Sequence, residues 1–197
     1  MDNRRRVFEE FAADYDRWFD DHAKVYQAQL RLMERAVPRQ GRTLEIGVGS
    51  GRFAAPLGTG YGIDPSLPLA RMAKNRGVEI ALALGEHLPY RQDSFDAVLM
   101  MTVICFLDNL PGVLRECYRV LIPSGRVIIG FIERDGEICR HYRAEAEKGR
   151  FLRYARFYSM VDVVSELGSA GFSDVRCIAR KHGFGILTGN KPTDSRE

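Results

Sequence analysis

The run Leu44-Glu45-Ile46-Gly47-Val48-Gly49-Ser50-Gly51-Arg52-Phe53 restricts the folds open to this chain more than any other stretch. A short apolar segment passes straight into three alternating glycines and then into a helix start. Glycine accepts positive φ and carries no Cβ, so such a bend turns a strand sharply and lets a ligand approach the backbone. A strand, a glycine turn and a helix in that order belong to a parallel sheet built from alternating β and α units.

The ligand is less constrained than the turn. Gly49-Ser50-Gly51-Arg52-Phe53-Ala54 satisfies the G-x-G-x-x-A dinucleotide fingerprint, so an NAD-dependent oxidoreductase is one reading. Glu45 favours another. A carboxylate at the strand end faces the pyrophosphate of NAD, and like charges about 4 Å apart cost on the order of 4 kcal/mol near a protein surface. It suits instead the ammonium of a bound amino acid. Tyr61-Gly62-Ile63-Asp64 reads as a second short strand ending in an acid that can accept both ribose hydroxyls of an adenosine, although Asp64-Pro65-Ser66 also reads as a plain turn. One acid for an amine and one for a ribose describe the two ends of S-adenosylmethionine.

The rest of the chain follows the same plan. Apolar runs at 43–47, 61–64, 78–83, 95–102 and 126–132 read as strands, and 174–181 with 184–189 as a closing antiparallel pair. Ser66 can cap a helix reaching Asn75, and Asp108 one whose core stripe is Leu114, Cys117, Tyr118 and Leu121. Ser159 can cap a third that turns Val161, Val164, Leu167 and Ala170 inward. Upstream, apolar spacing predicts an aromatic-faced helix over 4–20 and another carrying Ala23, Tyr26, Leu30, Met33 and Val37 up to Pro38. These form a helical cap, 1–38, on a single domain, 1–197. Residues 135–157, polar and basic, are a candidate lid over the carboxyl edge of the sheet, where ligands bind in open α/β folds.

Composition removes several classes. With 45% apolar and 28% charged residues and a formal charge of +3, the chain is ordinary and globular, and Arg4-Arg5-Arg6 reads as a solvated helix start rather than a nucleic-acid surface. Cys105, Cys117, Cys139 and Cys177 form no C-x-x-C pair, so no metal site is expected and reduced thiols suit a cytoplasmic protein. No run reaches the ~18 apolar residues of a membrane span.

In order along the chain, these motifs resemble the class I S-adenosylmethionine-dependent methyltransferases, in the broad group that also holds the ubiquinone and menaquinone methyltransferases. The family's E/D-x-G-x-G-x-G is here Glu45 to Gly51, and the acid closing the second strand is Asp64. Gly85-Glu86-His87-Leu88-Pro89-Tyr90 with Asp93-Ser94-Phe95-Asp96 is similar to its A-E-x-L-P-F…D-x-S-F-D segment. Glu116 to Arg126 is similar to its E-x-x-R-V-L-x-P-G-G run, and Ala170-Gly171-Phe172 follows, so the likeness covers 40–175. It implies a Rossmann-like α/β fold, a seven-stranded sheet in the order 3-2-1-4-5-7-6 with the seventh strand antiparallel. It implies S-adenosylmethionine as cofactor and S-adenosylhomocysteine as product. By the same resemblance Glu45, Gly47, Val48, Gly49, Gly51, Asp64 and Pro65 hold the cofactor, Leu84, Gly85 and Glu86 border the adenine, and Met101 and Thr102 follow the fourth strand. Tyr15 and Trp18 cover it. Many relatives carry Asp where Leu84 stands, which leaves the adenine amine to backbone contacts.

Displacement at a sulfonium expels a leaving group that already carries charge. Alignment and exclusion of water, worth up to roughly 7–11 kcal/mol, are then the main work, and no catalytic residue is named. The acceptor is expected to be a small molecule bound by a monomer or homodimer, near Phe19, Cys105, Phe106, Tyr142, Arg156 and Tyr158. Aromatic faces of Tyr15, Trp18 and Phe19 attract a sulfonium by roughly 0.5–2 kcal/mol, or simply pack the cap. His22, His87, His141 and His182 read as structural or surface residues. The chain has neither an N/D-P-P-Y/F tetrapeptide nor a basic patch for a nucleic-acid substrate. A cofactor-binding but inactive regulator would keep the same fold.

Overall fold

The computed structural model describes residues 3–144 and 150–193, the side chains of residues 3, 4 and 142–144 excepted. Its centre is a seven-stranded sheet of β1 (Thr43–Ile46), β2 (Tyr61–Ile63), β3 (Glu79–Ala81), β4 (Phe95–Met101), β5 (Leu121–Ile132), β6 (Ser173–Lys181) and β7 (Phe184–Asn190). The order is β3-β2-β1-β4-β5-β7-β6, parallel from β3 to β5, with β7 antiparallel between β5 and β6. This is the order the resemblance implied.

Burial on both faces explains the apolar strands. On one face Leu44, Ile46, Val98, Met100 and Ile129 pack with Leu114 and Cys117 of α6 (Leu110–Val120) and with Val163 and Leu167 of α8 (Met160–Ser169). On the other, Leu99, Met101 and Ile128 meet Tyr26, Leu30 and Met33 of α3 (Ala23–Met33). Two short helices, α4 (Ala54–Leu57) and α5 (Leu67–Asn75), connect β1 to β2 and β2 to β3, and α7 (Glu137–Ala144) follows β5. Among the described residues no helix is long and apolar enough to cross a membrane.

Local details depart from the sequence reading in ways that packing explains. The helix expected over 4–20 breaks at Phe11 (φ −117, ψ 34) into α1 (Asn3–Glu10) and α2 (Ala12–Asp21). One straight rod cannot lay α1 on α5 and α2 on α3, as the chain does. Asn109, not Asp108, caps α6 by accepting the Gly112 amide at 3.0 Å, because the Asp108 carboxylate is drawn to Arg5 at 3.0 Å. β3 is shorter than 78–83; Val78 is buried beneath it against Val48, Ala54 and Ala73, and Leu82 and Ala83 have left the ladder. β5 starts at Leu121 rather than 126, since Leu121 already pairs with Phe95 before a register shift sets Arg126 opposite Ala97. The second cap helix ends at Met33, with Val37 held by a turn bond to the Met33 carbonyl.

Helix α8 corrects a core assignment. Ser159 caps it with a capping box and Leu167 enters the core, both as expected, yet Val161 is 76% and Val164 39% exposed, and Val163 takes the core position instead. A valine run offers two stripes at helical spacing, and contact with α6 and β6 chose the other one. Leu167→Ala should therefore cost about 2–5 kcal/mol in urea unfolding, whereas Val161→Ser should stay within about 0.5 kcal/mol.

Candidate functional site

At the end of β1 the backbone bends through Gly47 (φ 69), Gly49 (φ 54) and Gly51 (φ 82). The Gly47 and Val48 amides both donate to the Ile63 carbonyl, at 2.9 and 3.0 Å, which ties the bend to the tip of β2. Two glycines have separate steric reasons. A Cβ at Gly49 would stand 3.1 Å from Tyr15 Cε1, and one at Gly51 would meet the Ala73 backbone of α5 at 3.0 Å. The first keeps room under the cap; the second lets a helix pack against the bend.

Two carboxylates sit at these tips. Asp64 is 7% exposed, accepting the Gly49 amide on Oδ2 at 2.9 Å and the Ser66 amide on Oδ1 at 2.8 Å. Burial pushes its carboxyl up to about 6 although both amides pull the other way. Glu45 is 2% exposed, and its Oε2 has no hydrogen-bond partner. Burial first, and Asp64 second, push it well above the usual carboxylate range. The Tyr15 hydroxyl is raised by burial and then by Asp64 and Glu45, so it stays protonated and can only donate to an anion. These three groups share one low-dielectric volume.

A cavity of about 480 Å³ opens between the strand tips and the cap. Tyr15, Gly47, Gly49, Asp64, Pro65, Leu84, Gly85, Glu86, Met101 and Thr102 line it, all of them residues expected at the cofactor. Glu45 does not line it and stands beside Asp64 and Tyr15; Val48 and Gly51 are buried in the bend. Trp18 is turned away and stacks on His22 at 4.5 Å. Of the residues expected at the acceptor, Phe106 lines the cavity. Phe19 is buried behind Tyr15, against Tyr26 and Phe53. Cys105 is buried with its carbonyl taken by the Arg156 amide at 2.8 Å, and the Arg156 guanidinium lies over the Tyr158 ring, so these three stand outside the cavity wall. The side chain of Tyr142 falls outside the described residues.

The comparisons with known proteins agree with this geometry. Residues 44–129 match the methyltransferase domain family. The chain is 38% identical to an uncharacterised protein of Methanocaldococcus jannaschii, over 86% of this chain and 82% of that one. It is 31% identical to the malonyl-[acyl-carrier protein] O-methyltransferase of Geobacter sulfurreducens, over 89% of this chain and 73% of that enzyme. A solved S-adenosylmethionine-dependent methyltransferase of Thermotoga maritima, described as a possible histamine N-methyltransferase, superposes with a TM-score of 0.88 at 34% identity, over 94% of this chain and 99% of that one. The chain belongs to the class I S-adenosylmethionine-dependent methyltransferases. It spans 60% of the length of the mycobacterial relatives it matches.

The methyltransferase's own residues fit that cofactor. An amide-supported Asp64 in the cavity wall suits a ribose, glycines at 47 and 49 suit a close backbone approach, and the unpartnered Glu45 oxygen buried beside them suits an amine. The NAD alternative has no such use for Glu45.

Other parts of the site lay beyond the sequence reading. Arg5, Phe8 and Glu9 of α1 line the cavity, and Phe8 meets Phe106 edge-on at 5.0 Å. Phe151, within the stretch expected as a lid, stacks on Phe8 at 5.2 Å and meets Tyr15 at 5.6 Å, while Arg150 pairs with Asp14. Arg52 in the bend donates to both Asp16 and Asp20 of α2, and Arg76 donates to Asp16 at 2.9 Å and to the Ser50 carbonyl at 2.7 Å. The acids Asp16 and Asp20, one turn apart, were the visible signal; their arginine partners are distant in sequence.

Burial pushes the Asp16 carboxyl up, but bonds from Arg52, Ser50 and Arg76 outweigh it and hold the group well below the usual range. A depressed carboxylate contributes stability that is complete above its unfolded value, about 3.9, and fades as the pH falls further. The unfolding free energies of wild type and Asp16→Asn should thus differ fully at neutral pH and converge below about pH 4. Hydrogen exchange of the variant should show faster opening of α2 amides than of α8 amides.

Proposed function

We propose that this methyltransferase acts on a small molecule, neutral or cationic, that reaches the cofactor beneath the α1–α2 cap. The observation that carries the reading is the cavity between the strand tips and the cap. Pockets of roughly 300–1,000 Å³ take one drug-sized ligand, so a cavity of about 480 Å³ that holds the cofactor favours a compact acceptor, or the end of a longer one, over a bulky substrate. Among the described residues its lining sets the sign of the guest: Glu9, Asp64, Glu86 and Asp108 stand against the single cation Arg5, on a chain whose net charge is +3. Such a field repels an anion and draws a cation in. The relative described as a possible histamine N-methyltransferase is consistent with an amine acceptor.

Bound S-adenosylmethionine supplies an electrophilic methyl group on a sulfonium. The chain supplies orientation and a dry environment. Tyr15, Phe8 and Phe106 wall the cavity with aromatic surface, and the Arg5–Asp108 pair joins α1 to the loop after β4. Thr102 holds a positive φ of 51, unusual for a β-branched residue, and so turns the chain out of β4 at the cavity wall. No described histidine lines the cavity. Cys105, pushed up to about 12 by burial, remains a thiol at neutral pH and serves neither as base nor as nucleophile. Catalysis then rests on alignment, and an amine acceptor must shed its proton before it attacks.

Calorimetry should show S-adenosylmethionine binding that Asp64→Ala weakens by at least about tenfold, or about 1.4 kcal/mol. Labelled methyl groups should enter the low-mass fraction of a metabolite extract, within it the amines. Label confined to protein or nucleic acid refutes the small-molecule reading; binding without any turnover indicates a regulator instead.

A further inference from the structure

The two acids at the strand tips are not neutralised in the same way. Asp64 has an amide on each oxygen, which favours its anion. Glu45, set beside Gly62 in the parallel register, has none for Oε2 and is 2% exposed. The groups around it come from four elements. Asp64 at the tip of β2, the Tyr15 hydroxyl of α2 and the Tyr26 hydroxyl of α3, which donates to the Arg52 carbonyl, all lie within electrostatic reach of it, and the Ala54 amide at the start of α4 favours its charged form. The nearby cations are engaged elsewhere, Arg52 with Asp16 and Asp20, Arg76 with Asp16 and the Ser50 carbonyl. A carboxyl buried without a countercharge lowers its energy by keeping its proton.

We propose that Glu45 is a proton-holding positioning residue: neutral in the free methyltransferase, it releases its proton to solvent when the cofactor's α-ammonium arrives and becomes the partner of that ammonium. The O–H bond of the acid breaks, its electron pair stays on the carboxylate, the proton passes to water or buffer, and the incoming cation supplies the missing countercharge. This rests on S-adenosylmethionine as the cofactor and adds a linkage that the assignment does not contain. The upward push on Glu45 from burial and from Asp64 agrees with it. Two consequences follow. The free site avoids a pair of adjacent buried anions, and cofactor affinity rises about tenfold per pH unit while Glu45 is still protonated in the free protein.

The test is titration calorimetry of the full chain with S-adenosylhomocysteine, which carries the same ammonium and needs no acceptor. Runs in phosphate, imidazole and Tris buffers between about pH 6 and about pH 7.5 read the proton count from the dependence of the observed enthalpy on the buffer's ionisation enthalpy. Wild type should release protons on binding, with affinity climbing as the pH rises through this range. Glu45→Gln, which keeps the shape and removes the titrating group, should release markedly fewer protons than wild type, with a flatter pH profile, in the upper part of this range where Asp64, raised to about 6, is already charged. A wild-type enthalpy that is the same in every buffer overturns the proposal, and so does release that persists undiminished in Glu45→Gln. The wild-type measurement decides the matter even where the variant fails to fold. Absence of S-adenosylhomocysteine binding at every pH rejects the cofactor assignment itself, whereas binding without proton release rejects only the role of Glu45.

Discussion

The Ile63 carbonyl, accepting the amides of both Gly47 and Val48, is the junction on which the site depends. It locks the bend after β1 to the tip of β2, so two acids far apart in sequence become neighbours on adjacent parallel strands. Strand pairing sets Glu45 opposite Gly62 and Ile46 opposite Ile63, leaving Asp64 one step past the ladder with its carboxylate turned toward the Gly49 amide. A chain that slipped by one residue would turn one of these acids to the opposite face of the sheet, because side chains alternate faces along a strand.

The cap then converts a sheet edge into a cavity. Helix α2 is held on the bend by Arg52 and Arg76 through Asp16, a network whose side chains are mostly shielded from water. Helix α1 carries Arg5, Phe8 and Glu9 to the cavity across the break at Phe11. Aromatic rings from four separate stretches, Phe8, Tyr15, Phe106 and Phe151, close on one another at 5.0–5.6 Å. Excluding water here lowers the local dielectric, which raises the Asp64 and Glu45 carboxyls and strengthens every charge interaction a bound cation could make. Binding and enclosure are therefore one property of the same residues.

Much of the cavity wall at the strand tips was legible in the sequence, because it is local. The glycine bend, the acids ending β1 and β2, the Leu84-Gly85-Glu86 segment and the Met101-Thr102 step all lie at strand ends, and a parallel sheet brings its strand ends to one edge whatever the loops do. The acceptor side was far less legible. Phe19 and Trp18 shared a helical stripe with Tyr15, yet only Tyr15 reaches the cavity; Phe19 is taken into the core under the bend and Trp18 stacks on His22. Cys105 was placed correctly just past β4, but the 3-10 turn Ile104–Phe106 sends Phe106 to the cavity and Cys105 into the interior.

By itself the sequence determined the class of fold, the place of the glycine bend and the two acids beside it, since each depends on backbone freedom and on charge at fixed short spacing. Tertiary structure alone decided which aromatic faces the cavity, that Arg52 and Arg76 meet on Asp16, that Asp108 is drawn from its capping position to Arg5, and that Val163 rather than Val161 enters the core. The reason is the same in each case. Helical periodicity names the faces of a helix, but only contact with a partner from elsewhere in the chain selects the face that is buried.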